Sequence, residues 1–327
     1  MSLGDCFVAK IKSAPRNDIW DTMPLITLFS APKPFANPHI AMIQRNAIKS
    51  WTLLPDVEVI LLGEEEGLAE AARDLGVKHI AHVARNESGT PLISSMFQLA
   101  RENSSSELLC IINADMLLMP DFVEAALESS SLLLDRKKFV LLSQRWDYDI
   151  TAPLDFTQGW QSQLVESVRK QNQLHRPAGS DFFLFPKSCY QDIPSFTIGR
   201  AGWDNWMIYK ACRENWAVID GTPSVMIVHQ NHDYSHLPGA KPHYDHPETN
   251  ENIRLAGGQA NIRYTILDAT HQLLNGTLAR PRMTRLRFLR KLELFLRAIF
   301  FFLPEDVIEN IARPKRWRKR FKKLFGS

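Results

Sequence analysis

Five short apolar runs recur through the first half of the chain: LITLFS at 25–30, VEVILLG at 57–63, VKHIAHV at 77–83, ELLCIIN at 107–113 and FVLLSQRW at 139–146. Each has the length and the aliphatic, β-branched content of a buried strand. Between them the period lengthens. In NPHIAMIQRNAIKSWTLLP, Ile40, Ile43, Ala47 and Ile48 share one helical face, Asn37 is placed to cap, and Pro38 suits the first helical position. GLAEAARDLG, ended by Gly76, and TPLISSMFQLAREN, ended by Asn103, predict two further helices. Strands alternating with helices require right-handed parallel crossovers, so the pattern predicts an α/β fold with a doubly wound, mostly parallel sheet.

The second half is less regular. DFFLFP (181–186), AVIDGT (217–222) and SVMIVHQ (224–230) read as strands around the segment GRAGWDNWMIYKACREN (199–215), which predicts a mixed strand order. Residues 237–261, rich in Pro, Gly, His and Asn, read as a long loop covering a site. Residues 1–23 show no clear period, and residues 280–327 stand apart by charge, so the expected organisation is an extension (1–23), a main domain (24–279) and a tail (280–327).

Composition changes this picture only at the end of the chain. Of 327 residues, 45% are hydrophobic and 23% charged, ordinary globular usage that excludes a disordered or fibrous protein. The net charge of +3 conceals a division: residues 280–327 carry 15 Lys/Arg against 4 Asp/Glu, leaving the rest acidic. Such asymmetry points to an anionic partner for the tail. Cys6, Cys110, Cys189 and Cys212 are widely spaced without a CxxC pair, which suggests neither a zinc knuckle nor a disulfide framework but a reducing compartment. The opening MSLGDCFVAKIK is interrupted by Asp5 and Lys10 and does not read as a secretory signal, and no run of ~18 apolar residues would span a bilayer. A cytoplasmic location, peripheral on the inner face of a membrane, is expected.

Three motifs carry candidate chemistry. In IINADMLLMPDF an apolar strand runs to Asn113 and presents Asp115 at its carboxyl end, where ligands of open α/β sheets bind. A carboxylate there, with Asn113 two residues earlier on the same face, suits Mg²⁺ or Mn²⁺ gripping a diphosphate. Capping of the helix beginning near Pro120 or Asp121 is the structural alternative. In GRAGWDNWMIYKA, Trp203 and Trp206 bracket Asp204 at a helix start, which reads as an N-cap between core tryptophans or as an acid whose pKa is raised beside a sugar-stacking surface. In SVMIVHQNHDYSH a strand runs into His229, His232, Asp233 and His236, a cluster that suits a metal. His229, His232 and His236 would also fit a zinc-dependent hydrolase, although no HExxH helix accompanies them. QRWDYDI and PAGSDFFLF place Arg145, Trp146, Asp147 and Gly179, Ser180, Asp181 beside one sheet edge, where turn chemistry also accounts for them.

In element order and in these motifs, residues 24–235 resemble a GT-A glycosyltransferase of the nucleotide-diphospho-sugar transferase superfamily, family-2-like, with Asn113-Ala114-Asp115 in place of its DxD motif. The resemblance implies a glycosyltransferase moving a sugar from a nucleotide-sugar donor to a glycan or lipid-linked acceptor, with Mn²⁺ or Mg²⁺ as cofactor. Asp115 would be the main metal ligand, His229 would complete the metal shell, and His232 stands in reserve. Ser30, Ala31 and Pro32, after the first strand, would face base and ribose, as would Glu64 or Glu65, which also read as part of a solvated acidic run. Arg85, with Asn86 and Thr90, would meet the diphosphate, guanidinium being suited to phosphate oxygens. Asp204 resembles the acid of the family's xED segment and would act as base, taking the acceptor hydroxyl's proton in a transfer with inversion at the sugar carbon. Arg145, Trp146, Asp147, Asp181 and Trp203 would line the acceptor side. The departure at Asn113 leaves a non-catalytic, membrane-associated scaffold as another reading.

Along the tail, Leu289, Leu292, Leu296, Ile299 and Leu303 recur at helical spacing while Arg287, Arg290 and Arg297 fall on another face. Pro304 stops this helix, and RPKRWRKRFKKLFGS sets Trp317, Phe321, Leu324 and Phe325 among cations. An amphipathic tail on an anionic membrane surface is expected. Docking of Leu289 to Leu303 on the enzyme's own body is the alternative. Nucleic acid is not expected, because a single apolar stripe serves phosphates poorly.

Overall fold

A computed structural model describes residues 24–133, 138–232, 246–300 and 307. In chain order its first half comprises β1 (Ile26–Ser30), α1 (Pro38–Thr52), β2 (Val57–Leu62), α2 (Leu68–Leu75), β3 (Lys78–Ile80), α3 (Ile93–Asn103), β4 (Leu108–Ile112), β5 (Met116–Leu117) and α4 (Pro120–Leu132). There follow β6 (Phe139–Leu142), β7 (Arg145–Tyr148), α5 (Trp160–Gln171), β8 (Phe182–Pro186), α6 (Trp203–Arg213), β9 (Ala217–Asp220), β10 (Ile227–Gln230), α7 (Pro247–Leu255), β11 (His271–Leu274), β12 (Thr277–Ala279) and α8 (Arg285–Ile299).

Nine strands form one sheet in the order β12-β11-β9-β6-β8-β4-β1-β2-β3. It is parallel except where β8 runs against β4 and β6, and where β12 turns back along β11. This is the expected doubly wound, mixed and mostly parallel α/β sheet. Period-2 alternation divides its core: Ile26 and Leu28 pack beneath α1 and α4 with Trp51 and Phe122, while Phe29 points to the opposite layer with Phe97, Phe185 and Tyr190. Phe97 there lies edge-on to Phe29 and stacked on Phe185. The helix signals act as read: the Asn37 side chain accepts from the amides of His39 and Ile40, and Gly76 closes α2 at φ +67°.

Three local expectations change. The apolar run 139–146 splits, because β6 ends at Leu142 in the large sheet and β7 belongs to a second sheet of order β5-β10-β7. Polar Ser143 and Gln144 make the crossing, with the Gln144 amide donating to Thr222 Oγ1. The loop read over 237–261 contains a helix, α7, begun by Pro247 and capped by the His246 side chain; residues 237–245 lie outside the described residues.

The third change is in α8, which docks on the body by its charged face. Arg287, Arg290 and Glu293 are buried, whereas Phe288, Phe295 and Ile299 are exposed. Arg287 finds Asp220 at the end of β9, and Arg290 finds Asp268. Leu303, also read into this helix, and Pro304, read as its stop, lie outside the described residues. Among the described residues no helix is long and apolar enough to cross a membrane.

Candidate functional site

The small sheet builds the site. Beyond β4 the chain bends at Asn113, whose amide donates to the Asp181 carbonyl, and the bend delivers Asp115 to the carboxyl end of the large sheet. β5 then pairs with β10 so that Met116 opposes His229, and β10 pairs with β7 so that His229 lies beside Asp147. Buried polar groups fix this register. The Gln230 side chain donates to the carbonyls of Ile43 and, at 3.3 Å, Asp115, while the Trp51 indole donates to the Met116 carbonyl at 2.8 Å.

Asp115, His229 and His232 converge, each offering one ligand atom within 4.8 Å of the others. His232 Nε2 lies 3.1 Å from Asp115 Oδ2, and Lys33 Nζ lies 2.9 Å from His232 Nε2 and 3.6 Å from Asp115 Oδ2. Burial by itself would raise the Asp115 carboxyl, but the hydrogen bond from His232 and the charges of Lys33, His229 and His232 outweigh it and hold it well below the usual carboxylate range. For His229, burial works toward a lower value, yet the hydrogen bond to Asp147 and the charge of Asp115 leave it raised.

The arrangement fits a divalent cation. Asp115 Oδ1 is buried and takes no hydrogen bond among the described residues, which leaves that carboxylate oxygen available to a cation. His229 Nδ1 lies 3.3 Å from both Asp147 Oδ1 and Asn231 Oδ1, which leaves Nε2 as its nitrogen for a metal. One carboxylate with two imidazoles is a donor set better suited to Mn²⁺ than to Mg²⁺, which prefers oxygen throughout.

Behind the cluster stands a second polar layer. Asp147 joins His229 to His175, whose Nδ1 lies 2.6 Å from Asp147 Oδ2, and Arg145 bridges Asp147 Oδ1 at 2.9 Å and Asp181 Oδ1 at 2.8 Å. Asn113 Nδ2 donates to the same Asp181 oxygen at 2.9 Å. An aspartate at 113 would set a second carboxylate against Asp181, whereas the amide supplies a donor. The Asn113 side chain is therefore turned to Asp181, outside the Asp115, His229 and His232 set.

Asp204 lies in the first turn of α6, after Gly202 at φ +110°. Burial and the charge of Asp181 raise its carboxyl to about 6, against the pull of backbone amides including that of Asn205. Trp203 is core: it is 8% exposed and packs against Phe183. Trp146, half-buried on β7, packs against the small cluster around Leu117 and Met119.

At the end of β1, Ser30 and Pro32 are buried and Ala31 half-buried. Arg85 lies with Glu65 at 2.9 Å and Glu64 at 3.5 Å, and donates to the Gly89 carbonyl, forming a group separate from the Asp115 cluster. Asn86 and Thr90 donate to Glu248 on α7, which also takes Arg200 at 2.7 Å. Asp233 and His236 lie outside the described residues.

Sequence reasoning passed over two residues of this site. Lys33 follows Pro32 in the loop at the carboxyl end of β1, a placement that was itself a signal, and its peptide is clasped in both directions by the buried Gln44 side chain, at 2.6 and 2.9 Å. His175 had no local signal: it reaches Asp147 because its segment pairs with β7 through the bridge between Leu174 and Trp146.

No family model matches the chain, and no curated protein matches it. Solved structures do. Mannosyltransferase PcManGT from Pyrobaculum calidifontis, in complex with GDP-Man and Mn²⁺, is 15% identical over 63% of this chain at a TM-score of 0.40, and this chain covers 56% of its length. Glucosyl-3-phosphoglycerate synthase from Mycobacterium tuberculosis, in complex with Mg²⁺ and uridine-diphosphate, is 12% identical over 81% of this chain and 88% of its own, at a TM-score of 0.43. The same synthase with Mn²⁺, UDP and glucosyl-3-phosphoglycerate gives 13%, 81% and 89%, again at 0.43. With every TM-score below 0.5, what this chain binds has to be argued from its own residues.

Proposed function

We propose that the chain is a divalent-metal-dependent glycosyltransferase that moves a sugar from a nucleotide-sugar donor to a glycan or lipid-linked acceptor. The observation that carries this reading is the convergence of Asp115, His229 and His232, with one ligand atom of each within 4.8 Å of the others, at the carboxyl end of a mostly parallel sheet. Asp115, His229 and His232 would hold Mn²⁺ or Mg²⁺. When bound, the ion supplies positive charge to the departing nucleotide diphosphate.

The chain's own residues supply the rest. Lys33, 3.6 Å from Asp115 Oδ2, and Arg145, whose charge couples to Asp115, add cationic charge near it. Asp147 orients His229 through Nδ1. Asp204, raised to about 6, is ionised at neutral pH and still basic enough to take the proton of an acceptor hydroxyl, which is the role inversion requires. Ser30, Ala31, Pro32, Glu64, Arg85 and Asn113 are assigned to the donor side, and Trp146 and Asp181 to the acceptor side, Trp203 being a core residue. We assign residues 24–279 to a GT-A-like catalytic domain and residues 280–327 to a tail that meets an anionic membrane surface from the cytoplasmic side.

The test is Mn²⁺ binding and turnover of a panel of nucleotide sugars by the wild type and Asp115→Asn. The variant is expected to lose both while remaining folded. Undiminished donor turnover in Asp115→Asn overturns the reading, and stoichiometric tightly held zinc in the wild type replaces it with the hydrolase.

A further inference from the structure

Helix α8 buries the face that an amphipathic helix ordinarily exposes. Arg287 is 6% exposed; its Nη1 donates to the carbonyls of Ile266 and Leu267, and its Nη2 meets Asp220 Oδ2 at 2.6 Å. Arg290, one turn on and 2% exposed, reaches Asp268 Oδ1 at 2.8 Å and lies over the Tyr264 ring. These contacts fix the helix in rotation. Its other side carries Phe288, Leu292, Phe295 and Ile299 at i, i+4, i+7 and i+11; Leu292 is half-buried, and the other three face outward at 57%, 61% and 47% exposure respectively. A continuous exposed apolar stripe on an otherwise well-packed protein marks an interaction surface.

The surrounding charge selects its occupant. Arg282, Arg285 and Lys291 are exposed beside the stripe; farther along the sequence, residues 313–327 hold eight Lys/Arg and no acidic residue. A second copy would bring the same cations face to face, and the chain's own last residues carry like charge. A lipid surface bearing anionic headgroups satisfies both halves, apolar residues entering the acyl boundary and cations meeting the headgroups.

We infer that α8 is a preformed membrane-docking face: the buried arginine pairs clamp it to the catalytic body so that Phe288, Leu292, Phe295 and Ile299 insert in the plane of an anionic leaflet. This deepens the membrane partnership proposed above by assigning it to one face of one helix and giving the body a fixed orientation on the bilayer.

Cosedimentation of the full chain with vesicles of phosphatidylcholine, with and without phosphatidylglycerol, tests it. The wild type is expected to partition onto the anionic vesicles only, and Phe288→Ser/Phe295→Ser to weaken that partition at least about tenfold with an unchanged melting temperature and sedimentation coefficient. Wild-type binding by the double variant overturns the inference, leaving charge alone as the attraction. A fall in melting temperature without lipid overturns it by showing that the chain covers its own stripe, and a lipid-free oligomer dissociated by the substitutions overturns it in favour of a second copy. Absence of vesicle binding overturns it directly. The assay involves no metal or sugar chemistry, so any of these failures leaves the transfer reading standing.

Discussion

Two buried charge clusters in this protein are built on the same principle and closed differently. Under α8, Asp220 and Asp268 are met by Arg287 and Arg290, guanidiniums that stay cationic at every accessible pH and divide their donors among carboxylates and backbone carbonyls. At the end of β4, Asp115 is met by two imidazoles and one lysine, and one of its oxygens takes no hydrogen bond among the described residues. Arginine meets the first cluster with a charge that does not titrate away, although Arg290 Nη2 also takes no hydrogen bond among the described residues. Histidine and lysine hold the second in a form that an arriving cation can displace. Buried charge alone therefore does not identify a site; what separates the two is the displaceability of the counter-charge.

The sharpest way to break this contrast is Asp115→Asn, expected to lower sugar transfer by ~10³-fold or more through loss of the metal's charge stabilisation while the unfolding transition stays cooperative. Donor turnover and circular dichroism melting, measured together, check both halves. Next is Arg287→Ala, which leaves Asp220 buried without its guanidinium. It should cost about 3–5 kcal/mol in denaturant unfolding and leave Mn²⁺ affinity unchanged. A loss of Mn²⁺ binding equal to that of Asp115→Asn would show that the two clusters are one functional unit.

Smaller effects sharpen the comparison. Asp147→Asn removes the orienting carboxylate of His229 and should weaken Mn²⁺ about 10–100-fold, read by titration calorimetry, with donor KM moving in step. The pH response is the mildest. Raised above its ordinary 6.5, His229 adds stability to the metal-free protein that is fully present below 6.5 and is lost as pH rises through its folded value. A metal requires the neutral ring, so Mn²⁺ affinity should climb with pH over the same range. Transfer should also rise through pH 6 as Asp204 ionises, and Asp204→Asn should remove that limb of the kcat profile.

Much of the fold was legible in the residues. Asn37, Pro38 and Gly76 mark the helix ends they were expected to mark, and β1, β2, β4 and β8 fall within one residue of their apolar runs. These are local signals, carried by caps, by φ restriction and by runs of side chains buried on both sheet faces. The split of 139–146 was not legible, because the crossing between β6 and β7 depends on partners far along the chain: Thr222 for Gln144 and β10 for Arg145. Asp115 and His229 stood out by position at strand ends. Their convergence, and the part played by His175, came only from the pairing of β5, β10 and β7.

The sequence by itself determined the α/β alternation, the carboxylate at the end of β4, the histidine at the end of β10 and the amphipathic character of α8, because each is written in neighbouring residues. Tertiary structure alone decided that Asn113 turns to Asp181, that Lys33 reaches Asp115, and that α8 buries arginines while showing its phenylalanines. The physical reason is common to all three. A charged or polar side chain goes to the interior only where a specific partner waits, and Asp181, Asp115, Asp220 and Asp268 are supplied by segments remote in the chain.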